Sequence, residues 1–249
     1  MANLIIDTGN TFHKIAVIEV NNNILEERVV TELTEEIVDE LCCRFAPSKA
    51  IISSTRGDAS HTAEIVGRRV QYVLCFERTT PVPIAVEYDK AMLGTDRIAA
   101  AVGAVEMYGA DKQMVIIDAG TAITIDFVSN GVFLGGNISP GVDMRFEALS
   151  EKTALLPLCS PMGLESEELL VGKTTTDAIK FGVMQSVFYE VKGYIEAFCK
   201  KNSKNLIIFI GGDAEYFVNQ IKSAIFAGRN VMYSGLNRIL EYNAESDKI

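Results

Sequence analysis

The sequence predicts an α/β protein built from two similar halves. Three observations predict it. Short apolar strands alternate with helical patterns along the chain. An apolar run ending in Asp-x-Gly occurs twice, at Ile6-Asp7-Thr8-Gly9-Asn10-Thr11 and at Ile117-Asp118-Ala119-Gly120-Thr121-Ala122, each followed at once by a second strand-forming run. The chain has 249 residues and 48% hydrophobic content, enough for one large domain or two smaller ones, with a full core in either case. A strand-turn-strand unit that returns after about half the chain is one duplication, not an array of repeats. It sets the expected boundary, with an N-terminal half at 1–110 and a C-terminal half at 111–249. Two unrelated hairpins with Asp-x-Gly turns would leave the same local pattern.

Residues 3–8, 13–20 and 24–31 read as strands, the last two joined by an Asn-rich turn that tolerates left-handed backbone. Residues 34–44 read as a helix, with Thr34 as its N-cap and acids in the first turn. The stretch 49–54 is a short apolar strand ending in small polar residues; 60–70 is helical and 71–76 a strand. Two prolines make 79–90 an extended connection. Residues 95–109 form an alanine-rich helix with Thr95 at its start and Gly109 at its end. The pattern then restarts: strand, turn and strand over 113–128, and a third strand with a glycine-rich turn over 131–141. A helix begins at 141–153. A long helix is expected over 169–201, with Gly172, Gly182 and Gly193 recurring along it. Residues 205–217 read as a strand, a Gly-Gly turn and a helix start, and 235–242 as a closing helix.

The formal net charge is −10, which excludes a general nucleic-acid binder, since such proteins need a basic surface. Cysteines stand at 42, 43, 75, 159 and 199, with neither zinc nor disulfide spacing. They read as small core residues in a reducing compartment. No leader precedes the first strand and no apolar run approaches ~20 residues, so a cytoplasmic protein without a membrane partner is expected.

The candidate chemistry sits in the turns. A glycine at a hairpin tip lets a ligand approach the backbone closely. Successive N–H groups there can cradle phosphate oxygens, and Thr8, Thr11 and Thr121 add hydroxyl donors. Asp7 and Asp118 would repel a phosphate unless a cation lay between, so both read as cation-organising groups. Lys14, on the strand after the turn, is placed to reach a phosphate as a point charge. In Gly94-Thr95-Asp96-Arg97, an acid and an arginine share a helix start, where an anion is favoured. Arg97 can hold a carboxylate with two parallel bonds, and Asp96 can accept a hydroxyl proton. Equally, Thr95 and Asp96 can simply cap the helix while Arg97 makes a surface ion pair. Gly211-Gly212-Asp213 either lets a ring or sugar approach the backbone or is a tight turn, with Asp213 free to cap the next helix. His13 and His61 complete no recognisable triad, and no Walker or dinucleotide glycine signature is present.

Taken together, these residues resemble the acetate kinase, sugar kinase, Hsp70 and actin superfamily, and within it the type III pantothenate kinases. The matching segments, in the family's order, are DTGNTFHK (7–14), GTDR (94–97), DAGTAITID (118–126), GGNISPG (135–141), GKTTTDAIKFGV (172–183) and GGDA (211–214). The resemblance implies two RNase H-like (actin-like ATPase) halves with a nucleotide cleft between them. It implies ATP-dependent phosphorylation of pantothenate to 4'-phosphopantothenate, the first step towards coenzyme A. A homodimer, Mg²⁺ with ATP, and a monovalent cation (K⁺ or NH₄⁺) are implied as well. By the same resemblance Asp7, Thr8, Gly9, Asn10, Thr11, Phe12, His13 and Lys14 would form the first phosphate-binding turn, with Thr121 also on ATP. Asp96 would be the catalytic base. Tyr88, Gly94, Thr95, Asp96 and Arg97 would contact pantothenate, Arg97 through its carboxylate. Thr175 would complete that pocket from the partner subunit, and Asp118 would ligate the monovalent cation. The chain departs from the family pattern in placing Tyr88 six residues before Gly94 with no intervening proline, and in having Asn137 where a small apolar residue is usual.

Overall fold

The computed structural model describes residues 2–9, 12–54, 57, 59–161, 171–200, 205–218, 221, 224–226 and 228–246. The first half begins with β1 (Ala2–Thr8), β2 (His13–Glu19), β3 (Ile24–Val30), α1 (Glu35–Phe45), β4 (Lys49–Ser54), α2 (Ser60–Gly67) and β5 (Tyr72–Phe76). Next come β6 (Ala85–Val86) and α3 (Thr95–Tyr108). The second half runs β7 (Gln113–Ala119), β8 (Ala122–Ser129), β9 (Val132–Pro140), α4 (Val142–Lys152), α5 (Thr175–Cys199), β10 (Leu206–Ile210), α6 (Ala214–Val218), β11 (Ala224–Phe226) and α7 (Asn230–Ser246).

The duplication is real at the level of topology. The first sheet has the order β3-β2-β1-β4-β5, and the second repeats it as β9-β8-β7-β10-β11 with β6 added beyond β9. In the first, β2 runs antiparallel to β1 and β3, while β4 and β5 continue in parallel. In the second, β10 lies parallel to β7 and β11. This is the two-lobed α/β architecture expected from the paired turns.

Alternation along the strands builds the first core. Leu4, Ile6, Ile15, Val17, Ala50 and Ile52 meet Val38 and Leu41 of α1 and Ile65 and Val66 of α2. The opposite face carries Asn3, Ile5 and Asp7 and is met by α7. The second core joins Val115, Ile117, Ile123 and Ile125 to Phe146 of α4, the Ile179–Val183–Val187–Val191 stripe of α5 and Phe217 of α6. That stripe has the 3–4-residue spacing of one helix face.

Two compact units result: Met1–Asp111 with Ser129–Leu134 and Arg229–Ile249, and Lys112–Val128 with Gly135–Gly228. The closing helix therefore packs with the first unit, not within a 111–249 half. The reason is a backbone-to-backbone helix crossing and a buried polar net. A Cβ on Gly103 of α3 would collide with the Val231 carbonyl of α7, and one on Gly235 with the Ala99 carbonyl. Deeper, Asn3 Nδ2 donates to Asn237 Oδ1 at 2.8 Å and to Glu241 Oε1 at 2.7 Å, and Lys49 Nζ lies 2.5 Å from Glu241 Oε2.

Several boundaries shift from the sequence reading. The long helix spans Thr175–Cys199, with 169–170 and 201 outside the described residues, and the closing helix extends well beyond 235–242. Strand β11, three residues long, was not expected. The cysteines are free thiols, but Cys43 is exposed and the others are half-buried, so they line the edges of the core instead of filling it. Among the described residues no helix is long and apolar enough to cross a membrane.

Candidate functional site

In the first unit, the β1–β2 register sets Asp7 opposite Lys14 and Thr8 opposite His13. The Gly9 N–H donates to the Phe12 carbonyl at 3.0 Å and closes the tip. Asn10 and Thr11, expected on the same turn, lie outside the described residues. Lys14 Nζ stands 3.7 Å from Asp7 Oδ2, and Thr8 Oγ1 is 3.1 Å from His13 Nδ1. Phe12 is exposed. Asp7 is only 5% exposed. Burial pushes its carboxyl above the ordinary range, the Lys14 ammonium offsets part of that rise, and the nearby Asp96 carboxylate adds to it.

Asp96 enters this neighbourhood at the start of α3. Gly94 is the N-cap residue and makes no side-chain capping bond. The Asp96 carboxylate folds back instead, its Oδ1 accepting the Arg97 N–H at 2.8 Å. A Cβ on Gly94 would stand 2.5 Å from that oxygen, so the glycine keeps room for the carboxylate. Asp96, Gly94 and Thr95 line a cavity of about 730 Å³ together with Ser54, Phe76 and Arg78, within the span of a small-molecule site. Arg78 also fastens the loop leading into Gly94, donating to the Ala91 carbonyl at 2.7 Å.

Arg97 is not on the surface. It is 6% exposed, which removes the simple reading of an exposed ion pair. Its guanidinium lies 5.3 Å from the Tyr88 ring centre and 5.8 Å from that of Phe133, and these rings meet edge-on at 6.1 Å. The cause is a strand pairing: Ala85 and Val86 of β6 lie beside Val132 and Phe133, and the Glu87 N–H donates to the Phe133 carbonyl at 2.9 Å. This pairing brings Tyr88 to Arg97 despite its shifted spacing from Gly94. Phe133 was missed in the sequence, where it reads only as an apolar strand residue.

In the second unit, the Gly120 N–H donates to the Ala122 carbonyl at 3.2 Å, echoing the bond at Gly9. Two other turns press on this tip. Gly211 has φ +95°, and a Cβ there would collide with the Ala119 carbonyl and stand 2.5 Å from Asp118 Oδ1. The Asp213 N–H donates to the Ala119 carbonyl at 2.9 Å. The Gly141 N–H donates to the Thr121 carbonyl at 3.1 Å. A side chain at Gly141 would strike the Gly120 and Thr121 carbonyls. Asp118 is half-buried and Thr121 exposed. Burial, and then the negative charge of Asp143, raise the pKa of Asp213.

Thr175 is the exposed first residue of α5, behind Thr174, which caps the helix by accepting the Asp177 N–H at 3.1 Å. Arg145 ties α4 to this helix and to the turn before it. Its Nη2 lies 2.5 Å from Glu190 Oε2 and its Nε donates to the Pro140 carbonyl at 2.9 Å. Asn137 is exposed.

Among the described residues no cluster of three His, Cys, Asp or Glu is positioned to cage a metal. The first turn offers one buried carboxylate, which suits Mg²⁺ that arrives with nucleotide phosphates and keeps waters. The second turn offers a carboxylate and backbone carbonyls, all hard oxygen donors. Both donor sets fit the cations that the resemblance implies.

The model of the type III pantothenate kinase family matches residues 3–197. The chain belongs to that family. A type III pantothenate kinase from Porphyromonas gingivalis is 39% identical over 242 residues, covering 97% of this chain and 98% of the relative. The fold also resembles that of a Baf family transcriptional activator from Campylobacter jejuni, with TM-score 0.62, 22% identity and coverage of 97% and 99%. A ROK family glucokinase from Streptomyces griseus aligns with TM-score 0.51, 14% identity and coverage of 97% and 99%. The last two likenesses bear on the fold alone. For this type III pantothenate kinase family member, they agree with the repeated strand order of the two sheets.

Proposed function

We infer that the chain phosphorylates pantothenate with ATP, forming 4'-phosphopantothenate at the entry to coenzyme A synthesis. One observation carries this reading: Asp96 lines a small-molecule cavity at the start of α3, in a chain of the type III pantothenate kinase family. Phosphoryl transfer passes through a loose transition state, in which the attacking hydroxyl needs little deprotonation early on. An aspartate is a poor base for an alcohol, so Asp96 mainly holds the hydroxyl in line and takes its proton late. Arg97, whose guanidinium lies beside the Tyr88 and Phe133 rings, orients the acceptor by binding the carboxylate of pantothenate. Gly94 and Thr95 contact the same substrate, and Thr175 reaches it from a partner subunit.

The first turn, Asp7 to Lys14, receives the ATP phosphates. Lys14 and the turn N–H groups offset their charge, and Thr121 also contacts ATP. A divalent cation accompanying ATP supplies charge neutralisation at the phosphates. Asp118 holds a monovalent cation. A homodimer is what the family resemblance implies. A cytoplasmic location agrees with the free thiols.

The test is an ATP-coupled assay with pantothenate, run with K⁺, with Na⁺ and after cation depletion. Phosphorylated pantothenate with K⁺ is expected. Transfer to another acceptor and none to pantothenate would overturn the substrate, and equal rates under all three conditions would remove the role of Asp118.

A further inference from the structure

Ser53 is the penultimate residue of β4 and stands directly beside Asp7 in the parallel β1–β4 register. In-register neighbours on adjacent strands point to the same face of a sheet, about 4.8 Å apart. Asp7 is also opposite Lys14, so the order across this face is Lys14, Asp7, Ser53. Ser53 is 1% exposed, and its hydroxyl is buried without a hydrogen-bond partner among the described residues. An orphaned buried hydroxyl is unfavourable and uncommon. The duplicated sheet shows that the position does not require one. There, Asp118 has Ile210 as its in-register neighbour on β10. The second half places an apolar side chain where the first half carries Ser53.

We propose that Ser53 is a positioning residue for nucleotide binding: its hydroxyl takes over the Asp7 carboxylate when Lys14 leaves it for a phosphate. In the free protein, the Lys14 ammonium is the counter-charge of Asp7 at 3.7 Å. An anionic phosphate at the tip competes for that ammonium. Asp7, nearly fully buried, would then face the cation that accompanies the phosphates without the ammonium that had donated to it, and a buried carboxylate is costly unless its remaining lone pairs are hydrogen-bonded. Ser53 is the in-register donor on its other side. The hydroxyl is idle in one state and engaged in the other. This explains why a buried position carries an unpartnered polar group.

The inference rests on the reading of Asp7 to Lys14 as the ATP phosphate turn. Its test uses the full-length protein, with thermal melting in the absence of ligand and calorimetric titration with ATP and Mg²⁺. Ser53→Ala is expected to leave the melting temperature of the free protein unchanged or raised and to weaken ATP binding roughly tenfold, as for a lost hydrogen bond to a charged group. The KM for pantothenate should hold. In a Lys14→Met background, Ser53 would already serve Asp7 in the free state. There, Ser53→Ala is expected to lower the melting temperature. A purely structural serine would shift melting alike in both backgrounds. That result, or unchanged ATP affinity in the single variant, would overturn the proposal. Failure of the wild-type protein to bind ATP would overturn the phosphate-turn reading and this inference with it.

Discussion

Asp7 and Lys14 face each other across the first hairpin, 3.7 Å apart, with Asp7 buried and Lys14 part-exposed. The pair is asymmetric. Burial raises the pKa of Asp7 in spite of Lys14, so its ionised form is disfavoured in the folded, ligand-free protein. A group whose folded pKa lies above its unfolded value contributes most to stability below the unfolded value, and that contribution is lost as pH rises through the folded one. Ionised Asp7 therefore weakens the free fold at neutral pH. Asp7→Asn should melt higher than wild type at pH 7, and the difference should shrink as pH falls towards 4. Phosphorylation of pantothenate should meanwhile be largely lost, a trade of activity for stability. Melting curves of both proteins across that range check the sign.

Asp96→Asn should retain the fold and ATP binding, because its local bond to the Arg97 N–H needs only the side-chain oxygen. Turnover should fall at least ~100-fold, the low end for acid–base assistance. Near-normal turnover in a coupled assay would remove Asp96 from the chemistry. Gly94→Ala should mimic part of this loss, since the added methyl would stand 2.5 Å from the Asp96 carboxylate oxygen.

Arg97→Lys keeps a charge but loses the flat fork that lies against Tyr88 and Phe133. The expected result is a KM for pantothenate raised roughly tenfold or more, with the KM for ATP little changed. Phe133→Leu should act in the same direction more weakly, as the contact of one ring is worth about 0.5–2 kcal/mol. Initial-rate kinetics with each substrate varied separate the two effects.

Gly103→Ala and Gly235→Ala should each destabilise the protein by about 1–3 kcal/mol or more, because the new methyl meets a backbone carbonyl that cannot move aside alone. Since α3 begins with Asp96 and Arg97, pushing α3 from α7 should also lower turnover. Denaturant melts read the first effect and steady-state rates the second.

Lys49→Met removes the Lys49 ammonium from Glu241, which is 9% exposed and also accepts a bond from Asn3. Breaking one side of such a buried pair typically costs about 3–5 kcal/mol. The double change Lys49→Met with Glu241→Gln should recover much of that loss. Urea unfolding of the three proteins tests whether the net is coupled in this way.

Much of this was legible in the residues themselves. The two Asp-x-Gly turns carried the duplication, because a strand ending in an acid and a glycine is a local pattern that backbone chemistry writes directly. The GTDR segment announced a helix start bearing an acid and an arginine. Whether Arg97 was a surface charge or a buried one could not be read there, because its burial involves Tyr88 and also Phe133, which lies 36 residues further along the chain. Phe133 reaches the site through strand pairing at a distance, and no periodicity signals it. The same holds for α7: its 3.6-residue pattern marks a helix, but only the Gly103–Gly235 crossing and the Asn3–Glu241–Lys49 net assign it to the first unit. Ser53 is the sharpest case. In sequence it is the small polar end of an apolar strand. Its meaning lies in the register, which sets a buried hydroxyl beside Asp7, and register is a property of two strands paired in space, not of either one alone.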